Sequence, residues 1–306
     1  MKHTSAVNSY RRHGLAIALC GALAAVGLPA MASDQDSPTL DKIRANGIIT
    51  VGYRESSVPF SYLGASGKPV GFSLALCERV IDRLKTELRM PALRTTFMPV
   101  TPANRTALIQ NGTVDLECGN TSVTEERARQ VGFSLPVFFS QLTWLMQPDI
   151  TDVDQLKGKV VVVTAGALSL SVVTRVSNER GLDLKIVQPK DHAESFLMLQ
   201  SGRAAAWLDD DIVEAGHTAT ANPRKAFRQQ KVPNGAYPYA FMLRKGDERF
   251  KSFVDGVIAD DMASGAFAQL YRTWFEQPIE PKGVNLALPM SDTLKARVSM
   301  VQARKP

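Results

Sequence analysis

The chain has 306 residues, of which 44% are hydrophobic and 22% are charged, with 36 Lys and Arg against 30 Asp and Glu. This length and composition are enough for one large or two medium globular domains. After the first 32 residues there is no basic run and no interleaving of basic and aromatic residues, so nucleic acid is not predicted as a partner.

The first 32 residues have the pattern of a secretory signal peptide. Lys2, Arg11 and Arg12 precede an apolar run at 15–28, and small residues follow at 30–32. The apolar run is shorter than the roughly 20 residues that a membrane-spanning helix needs. Without this segment, 33 of the 36 basic residues remain against 30 acidic residues, a net charge near +3. A cleaved, soluble and exported protein is therefore predicted.

The cysteines admit two interpretations. Cys77 and Cys118 remain after signal cleavage, and in an oxidising compartment they could form one disulfide. Alternatively both are buried thiols, because free cysteine often packs as a small hydrophobic residue. Cys77 lies on an apolar helical face, which favours the interpretation as two buried thiols. A lipoprotein would use Cys20, but Leu19 is bulkier than the residue that normally precedes a lipidated cysteine. No Cys or His spacing resembles a metal site, and no cofactor is predicted.

Strands and helices alternate along the first part of the mature chain. Some segments have apolar residues at helical spacing, and others alternate apolar with polar residues. The predicted elements are a helix at 40–46, a strand at 48–53, a helix at 72–88, a strand at 94–100, a helix at 105–110 and a strand at 114–117.

The pattern restarts near residue 141. The further predicted elements are a strand at 141–146, a short helix at 152–156, a strand at 160–164, a helix ending at 179, a strand at 184–187, a helix at 190–201, strands at 204–208 and 239–243, and helices at 248–265 and 266–275. Strands that alternate with helices predict an α/β fold with mostly parallel sheets, each flanked by helices.

We expect two such units, with the second inserted into the first. Lobe 1 would comprise residues 33–139 and 240–306, and lobe 2 residues 140–239. Two strands would cross between the lobes, near 138–144 and 238–241. The cleft between the lobes is then the predicted site, and its closing by a hinge is the expected motion.

The segment from Asn111 to Arg127 is the central candidate for ligand binding. Gly112 ends a helix, and a short strand then leads into a polar loop that contains Asn120 and Ser122. Arg127 lies on the first turn of the next helix. Ligands of open α/β sheets bind at the carboxyl ends of strands. Hydroxyls, a helix N-terminus and an arginine suit a small carboxylate, which favours binding over catalysis.

Two further arginines occupy similar positions. Arg54 follows the strand at 48–53, where it would either contact a ligand or form a surface salt bridge. Arg105 lies on the first turn of a helix, where a cation is unfavourable with the helix dipole. It therefore needs an anionic partner, which is either the ligand or a structural carboxylate.

The second half of the chain offers its own candidates. A small-residue loop at 165–169 precedes a helix, and His192 opens another. From its position alone, His192 is more typical of a hydrogen-bonded structural histidine than of a ligand contact. Asp209, Asp210 and Asp211 end a strand, where one of them would contact a ligand or cap the next helix.

Several motifs together resemble the periplasmic glutamate/aspartate-binding proteins of ABC importers, which belong to solute-binding protein family 3. These motifs are V-G-Y-R-E-S-S-V-P-F-S-Y, N-R-x-x-L-I-Q-N-G-T-V-D-L-E-C-G, V-V-V-T, K-D-H-A-E-S-F and Q-S-G-R-A-A-A-W-L-D-D. The resemblance covers residues 40–289. It implies the two-lobe type II periplasmic-binding-protein fold, no catalysis, and delivery of L-glutamate or L-aspartate by a monomer to a membrane permease.

The resemblance also implies roles for individual residues. Arg54, Arg105 and His192 would hold the side-chain carboxylate of the ligand. Ser122 and Arg127 would hold the α-carboxylate, and Asp210 the α-ammonium. The complete predicted binding set is Arg54, Arg105, Asn120, Ser122, Arg127, Leu168, Ser169, His192 and Asp210.

Four positions depart from the family pattern. Pro102 replaces a serine and removes both a hydroxyl and a backbone donor. Asn120 replaces another serine, although its amide still donates and accepts. Ala167 and Leu168 replace two threonines. These changes leave glutamate, aspartate, an amide or another dicarboxylate open as the ligand.

Two other functions compete with this interpretation. A periplasmic dehydratase or lyase of the same fold would use Glu117 or His192 as its general acid or base. No nucleophile–base pair or metal cluster supports this alternative. A ligand-binding component of a sensor is the second alternative.

Overall fold

The computed structural model describes residues 37–221 and 225–303. The predicted signal peptide and the lipoprotein alternative at Cys20 lie outside these residues. The strands are β1 (Ile48–Tyr53), β2 (Ser56–Ser57), β3 (Ser61–Leu63), β4 (Pro69–Val70), β5 (Arg94–Pro99), β6 (Leu116–Glu117), β7 (Gly132–Phe133), β8 (Phe138–Met146), β9 (Val160–Val162), β10 (Lys185–Val187), β11 (Ala206–Asp210), β12 (Arg228–Tyr239) and β13 (Met242–Leu243).

The helices fall between these strands, and a 3-10 helix covers Val153–Leu156. They are α1 (Pro38–Asn46), α2 (Phe72–Glu87), α3 (Arg105–Gln110), α4 (Glu125–Ala128), α5 (Ser169–Arg180), α6 (His192–Gln200), α7 (Asp211–Thr220), α8 (Glu248–Ser264), α9 (Ala266–Phe275) and α10 (Asp292–Ala303). Within the described ranges, no helix is both long and apolar enough to cross a membrane.

The first sheet has the strand order β5-β1-β6-β13-β7. β1 pairs in parallel with β5 and β6, whereas β13 is antiparallel to β6 and β7. Helix α2 buries Leu76, Val80 and Leu84, which recur at helical spacing, in the core beside this sheet. A small hairpin sheet, β2-β3-β4, follows β1.

The second sheet has the order β10-β9-β11-β8-β12. β9 is parallel to β10 and β11, and the long strand β8 is antiparallel to β11 and β12. The apolar run at β9 suits its central place in this sheet, because β-branched residues favour strands. Each sheet is therefore half parallel and half antiparallel, since each also contains strands that return the chain between the two sheets.

Two chain segments connect the sheets. The chain enters the second sheet at β8 and returns from β12 to β13 in the first sheet. Phe60 packs edge-on against Phe138 and Tyr239, with ring centroids 4.9 and 5.2 Å away. Phe275 of α9 stacks on Phe138. This aromatic cluster holds the crossing strands against the loop that follows β1.

Several predicted features differ from the structure, and the hairpin strands β2–β4, strand β7 and helix α7 are further elements that were not predicted. The predicted strand at 239–243 is two strands, because β12 ends at Tyr239 and β13 begins at Met242. Most of β12 was missed, and so was α10. β12 is largely exposed and carries Pro233 and Gly235, so it lacks the apolar run of a buried strand.

A disulfide joins Cys77 to Cys118, with their Cα atoms 6.4 Å apart. The interpretation favoured from the sequence, two buried thiols, is therefore wrong. Both residues are buried as expected, but the apolar face of α2 packs directly on the residue that follows β6, which brings the two sulfurs together. The bond ties α2 to the start of the polar loop.

Candidate ligand-binding site

Arg54 lies at the carboxyl end of β1 and is only 1% exposed. Its backbone N–H donates to Ser61 Oγ at 2.8 Å, and its Nη1 donates to Asn120 Oδ1 at 3.3 Å. Its Nη2 is buried and has no hydrogen-bond partner among the described residues. The surface salt bridge considered from the sequence is therefore not formed.

Arg105 begins α3 and is also buried. Its Nη1 lies 3.6 Å from Glu117 Oε1, an ion pair that is too long for a hydrogen bond. The other oxygen of Glu117 accepts a hydrogen bond from Thr121 Oγ1 at 2.7 Å. Glu117 was predicted only as a catalytic group of the enzyme alternative, but its contacts are those of a structural counter-ion to Arg105.

Arg127 connects the polar loop to the second half of the molecule. The Thr124 hydroxyl caps α4 by accepting from the Arg127 backbone N–H at 3.2 Å. The guanidinium donates from Nη1 to the Ser122 carbonyl at 2.9 Å and from Nη2 to the Gly166 carbonyl at 3.2 Å. Ser122 pairs through its backbone with Tyr239 at the end of β12. The polar loop is thus fixed from two sides.

Positive charge is concentrated in this region. Burial, followed by the nearby charge of Arg105, lowers the pKa of Arg54 to about 9. Burial, followed by the charge of Arg105, also lowers the pKa of Arg127 to about 10. Both arginines stay charged at neutral pH, so the cluster favours an anion.

The second sheet contributes the loop after β9. Leu168 is half-buried at the N-terminus of α5 and gives no side-chain cap. Ser169 begins the helix and is 1% exposed, and its Oγ makes no hydrogen bond with any described residue. The first amides of a helix and a free hydroxyl are donors suited to an oxygen anion.

His192 lies at the first position of α6, where Asp191 caps the helix. Its Nδ1 is 3.0 Å from Ser57 Oγ, and its Nε2 is 3.7 Å from Asp209 Oδ2. Burial, and then the charge of Arg54, lowers the pKa of His192 well below its usual value. The neutral ring therefore has protein partners on both sides, and its contact with a ligand stays a prediction.

Asp210 ends β11 and is 6% exposed. Its side chain does not cap α7, and its Oδ1 lacks a hydrogen-bond partner within the described parts of the chain. Burial, and then the adjacent charge of Asp209, raises the pKa of Asp210 to about 8. Asp210 therefore does not have the helix-capping role that was one alternative from the sequence. Its Oδ1 remains as an acceptor for a cation.

The structure thus brings most of the predicted residues to the ends of strands in both sheets. Asp209, Ser57 and Glu117, which were not in the predicted set, support them. Asp209 accepts hydrogen bonds from Thr164 and Trp207. In the sequence, only the run of three aspartates at 209–211 indicated that Asp209 would be a second buried carboxylate beside Asp210.

A two-lobe α/β arrangement with two chain crossings defines the class of type II periplasmic binding proteins, as predicted. A solved structure described as a solute receptor for L-cysteine of Neisseria gonorrhoeae has the same fold, with a TM-score of 0.67 and 26% identity over 77% of this chain and 92% of that one.

Residues 49–277 match the bacterial extracellular solute-binding proteins, family 3, and the chain belongs to this family. It is 43% identical over 270 residues to the L-glutamate/L-aspartate-binding protein of Pseudomonas aeruginosa, covering 87% of this chain and 89% of the relative. It is 39% identical to the glutamate/aspartate import solute-binding protein of Escherichia coli, covering 92% and 93%. The chain is therefore a solute-binding protein of a transport family and not an enzyme.

Proposed function

We propose that this protein is the periplasmic binding component of an ABC importer for an acidic amino acid, L-glutamate or L-aspartate. It captures the ligand between its lobes and delivers it to a membrane permease. The two relatives named above carry these ligands in their names, and most of the residues that we propose bind them are buried. The protein acts as a monomer, without nucleic acid.

Four buried polar atoms carry the proposal. Within the described residues, Arg54 Nη2, Arg105 Nη1, Ser169 Oγ and Asp210 Oδ1 make no hydrogen bond. An unsatisfied buried polar group costs about 1–3 kcal/mol, and more if charged. An acidic amino acid supplies two carboxylates and one ammonium, which complement this set.

The resemblance to glutamate/aspartate-binding proteins assigns the ends of the ligand, and the charges are compatible with this assignment. Arg54 and Arg105 hold its side-chain carboxylate, since a planar guanidinium pairs well with a carboxylate. Arg127 and the Ser122 hydroxyl hold the α-carboxylate. Asp210 accepts the α-ammonium.

The remaining residues position these groups or add donors. Asn120 fixes the guanidinium of Arg54 through their hydrogen bond. Ser169 and the amides beside Leu168 add donors from lobe 2. His192 contributes to the side-chain pocket from the first turn of α6.

The lobes are residues 33–139 with 240–306, and residues 140–239. A Cβ at Gly166 would lie 2.6 Å from the Ala103 backbone, so the lobe 2 loop packs tightly on the segment that follows Pro102. The family's serine hydroxyl is missing at this contact. A donor to the side-chain carboxylate is thereby lost, which bears on the choice between glutamate and aspartate.

A thermal-shift screen of the chain from Ser33, against amino acids and dicarboxylates, tests the proposal. Ligand at 1,000 times its dissociation constant adds about 4 kcal/mol. For a protein of this size the melting temperature then rises by about ten degrees. We expect this shift with L-glutamate or L-aspartate. A shift only with neutral amides would overturn the acidic ligand, and no shift with any compound would reject the proposal.

A further inference from the structure

A second contact between the lobes involves residues that, apart from His192, are outside the predicted binding set. The β2 segment, which we define as residues 56–58, extends from lobe 1 onto α6 and α7 of lobe 2. The Ser56 carbonyl accepts a hydrogen bond from His217 Nε2 at 2.8 Å. The Ser56 hydroxyl accepts one from the Ala193 backbone at 3.4 Å. Ser57 adds its contact with His192.

Gly216 lets α7 approach this segment. A Cβ at Gly216 would lie 2.6 Å from the Val58 carbonyl oxygen and 3.1 Å from its carbon. These are backbone atoms, so they cannot rotate away as a side chain would. Glycine in a helix interior costs about 1 kcal/mol relative to alanine. The close approach of the two lobes explains why a glycine stands there.

His217 is oriented by packing inside lobe 2. It is 8% exposed, and its ring lies 5.7 Å from that of Trp207 and 5.5 Å from that of Phe196. Burial lowers the pKa of His217 to about 4. The ring is therefore neutral at pH 7, and a proton on Nε2 allows it to donate to the Ser56 carbonyl.

We propose that residues 56–58 and the Gly216–His217 face of α7 form a closing latch, which stabilises the closed arrangement of the lobes without touching the ligand. The latch contacts are made by backbone and side-chain atoms on opposite lobes. Gly216 and His217 are thus positioning residues for ligand capture. This inference rests on the proposed function for the two tests that measure ligand affinity, which are the substitutions of Gly216 and His217.

Substitution of Gly216 tests the latch through affinity. In Gly216→Ala the new methyl group would meet the Val58 backbone, so the lobes cannot close fully. We expect the dissociation constant for L-glutamate, measured by calorimetry, to rise at least tenfold. The melting temperature of the ligand-free protein should not fall, because alanine favours the helix. Gly256→Ala is the matched control, because Gly256 lies inside α8 and a Cβ added there would meet no described atom within 4 Å.

Substitutions of His217 separate the hydrogen bond from packing. Glutamine can place an amide N–H near the position of Nε2, whereas leucine cannot donate. We expect His217→Gln to retain near wild-type affinity and His217→Leu to lose at least fivefold. Equal affinities of the two variants would show that the hydrogen bond from His217 to Ser56 does not contribute to the latch.

A crosslink tests the latch without any ligand. The Ser56 Oγ lies 3.4 Å from the Ala193 backbone nitrogen, so these two positions face each other across the lobes, and neither of them is Gly216. We expect the double variant Ser56→Cys with Ala193→Cys to form a disulfide under oxidised glutathione, as shown by peptide mass spectrometry. No crosslink with or without L-glutamate would overturn the latch.

The outcomes for latch and function are distinguishable. If the wild-type protein does not bind L-glutamate or L-aspartate, the proposed function fails, and the crosslink still decides the latch. If the wild-type protein binds and Gly216→Ala binds equally well, the latch is wrong and the proposed function stands.

Discussion

Individual buried charges have specific neighbours throughout the candidate site. Glu117 faces Arg105, so part of the positive charge is balanced within the protein, whereas Asp209 faces the neutral ring of His192. The sequence showed the arginines but not these partners. A carboxylate that ends a short strand has the same local pattern whether it faces a ligand or another side chain, so Glu117 and Asp209 could not be assigned.

Arg105 provides the first prediction. In Arg105→Ala the ligand loses a charged hydrogen bond, which is worth about 1.5–3 kcal/mol. We expect the affinity for L-glutamate to fall at least tenfold in calorimetry. Arg175→Ala is the control, because Arg175 is an exposed residue of α5. Unchanged affinity in Arg105→Ala would show that this arginine is not a ligand residue.

Asp210 predicts a pH dependence of binding. Its pKa is raised to about 8 in the ligand-free protein, chiefly by burial, so the carboxyl is largely protonated at pH 6. Binding an ammonium requires the carboxylate. Affinity should therefore rise from pH 6 to pH 8, with proton release on binding that calorimetry in buffers of different ionisation enthalpy detects. A pH-independent affinity with no proton release would contradict the role of Asp210.

The same shift predicts how stability changes with pH. The pKa of Asp210 is higher in the folded protein than the unfolded value of 3.8, so the folded state binds the extra proton between these values. Its contribution is complete below pH 4 and is lost as the pH rises to 8. We expect Asp210→Asn to have a higher ligand-free melting temperature than wild type at pH 8. An equal or lower value would count against a carboxylate whose charged form is destabilised by burial.

At the scale of elements, regular patterns predicted regular structure. Residues 48–53 and 72–87 form β1 and α2 almost as expected, because their apolar residues follow one period throughout. β12 and α10 were missed. β12 is stabilised by pairing with β8 rather than by its own hydrophobicity, and α10 buries little beyond Leu294 and Val298.

The disulfide between Cys77 and Cys118 provides an element-scale prediction. It closes a loop with a sequence separation of 41 residues, for which the chain-entropy relation gives about 4 kcal/mol of stability. Replacing both cysteines by alanine should lower the melting temperature by about ten degrees. It should also weaken ligand binding, because the polar loop begins at Cys118. A melting temperature that does not change would show that packing alone holds α2 against this loop.

At the scale of the whole molecule, the alternation of strands and helices predicted two α/β units. It did not predict the antiparallel half of each sheet, since the return of the chain through β12 and β13 leaves no periodic signal. The contacts between the two lobes also could not be predicted from the sequence. Gly216 fits an ordinary helix, and only its distance from the Val58 backbone reveals a close approach.

The most direct test of the central claim is calorimetric titration of the mature protein with L-glutamate, L-aspartate, L-glutamine and L-asparagine at pH 7. We predict that at least one acidic amino acid binds at least tenfold more tightly than its amide. A neutral amide would offer Arg54 and Arg105 no carboxylate, and each lost charged hydrogen bond costs about 1.5–3 kcal/mol. Equal or tighter binding of the amide, or no binding of either acid, would contradict the account.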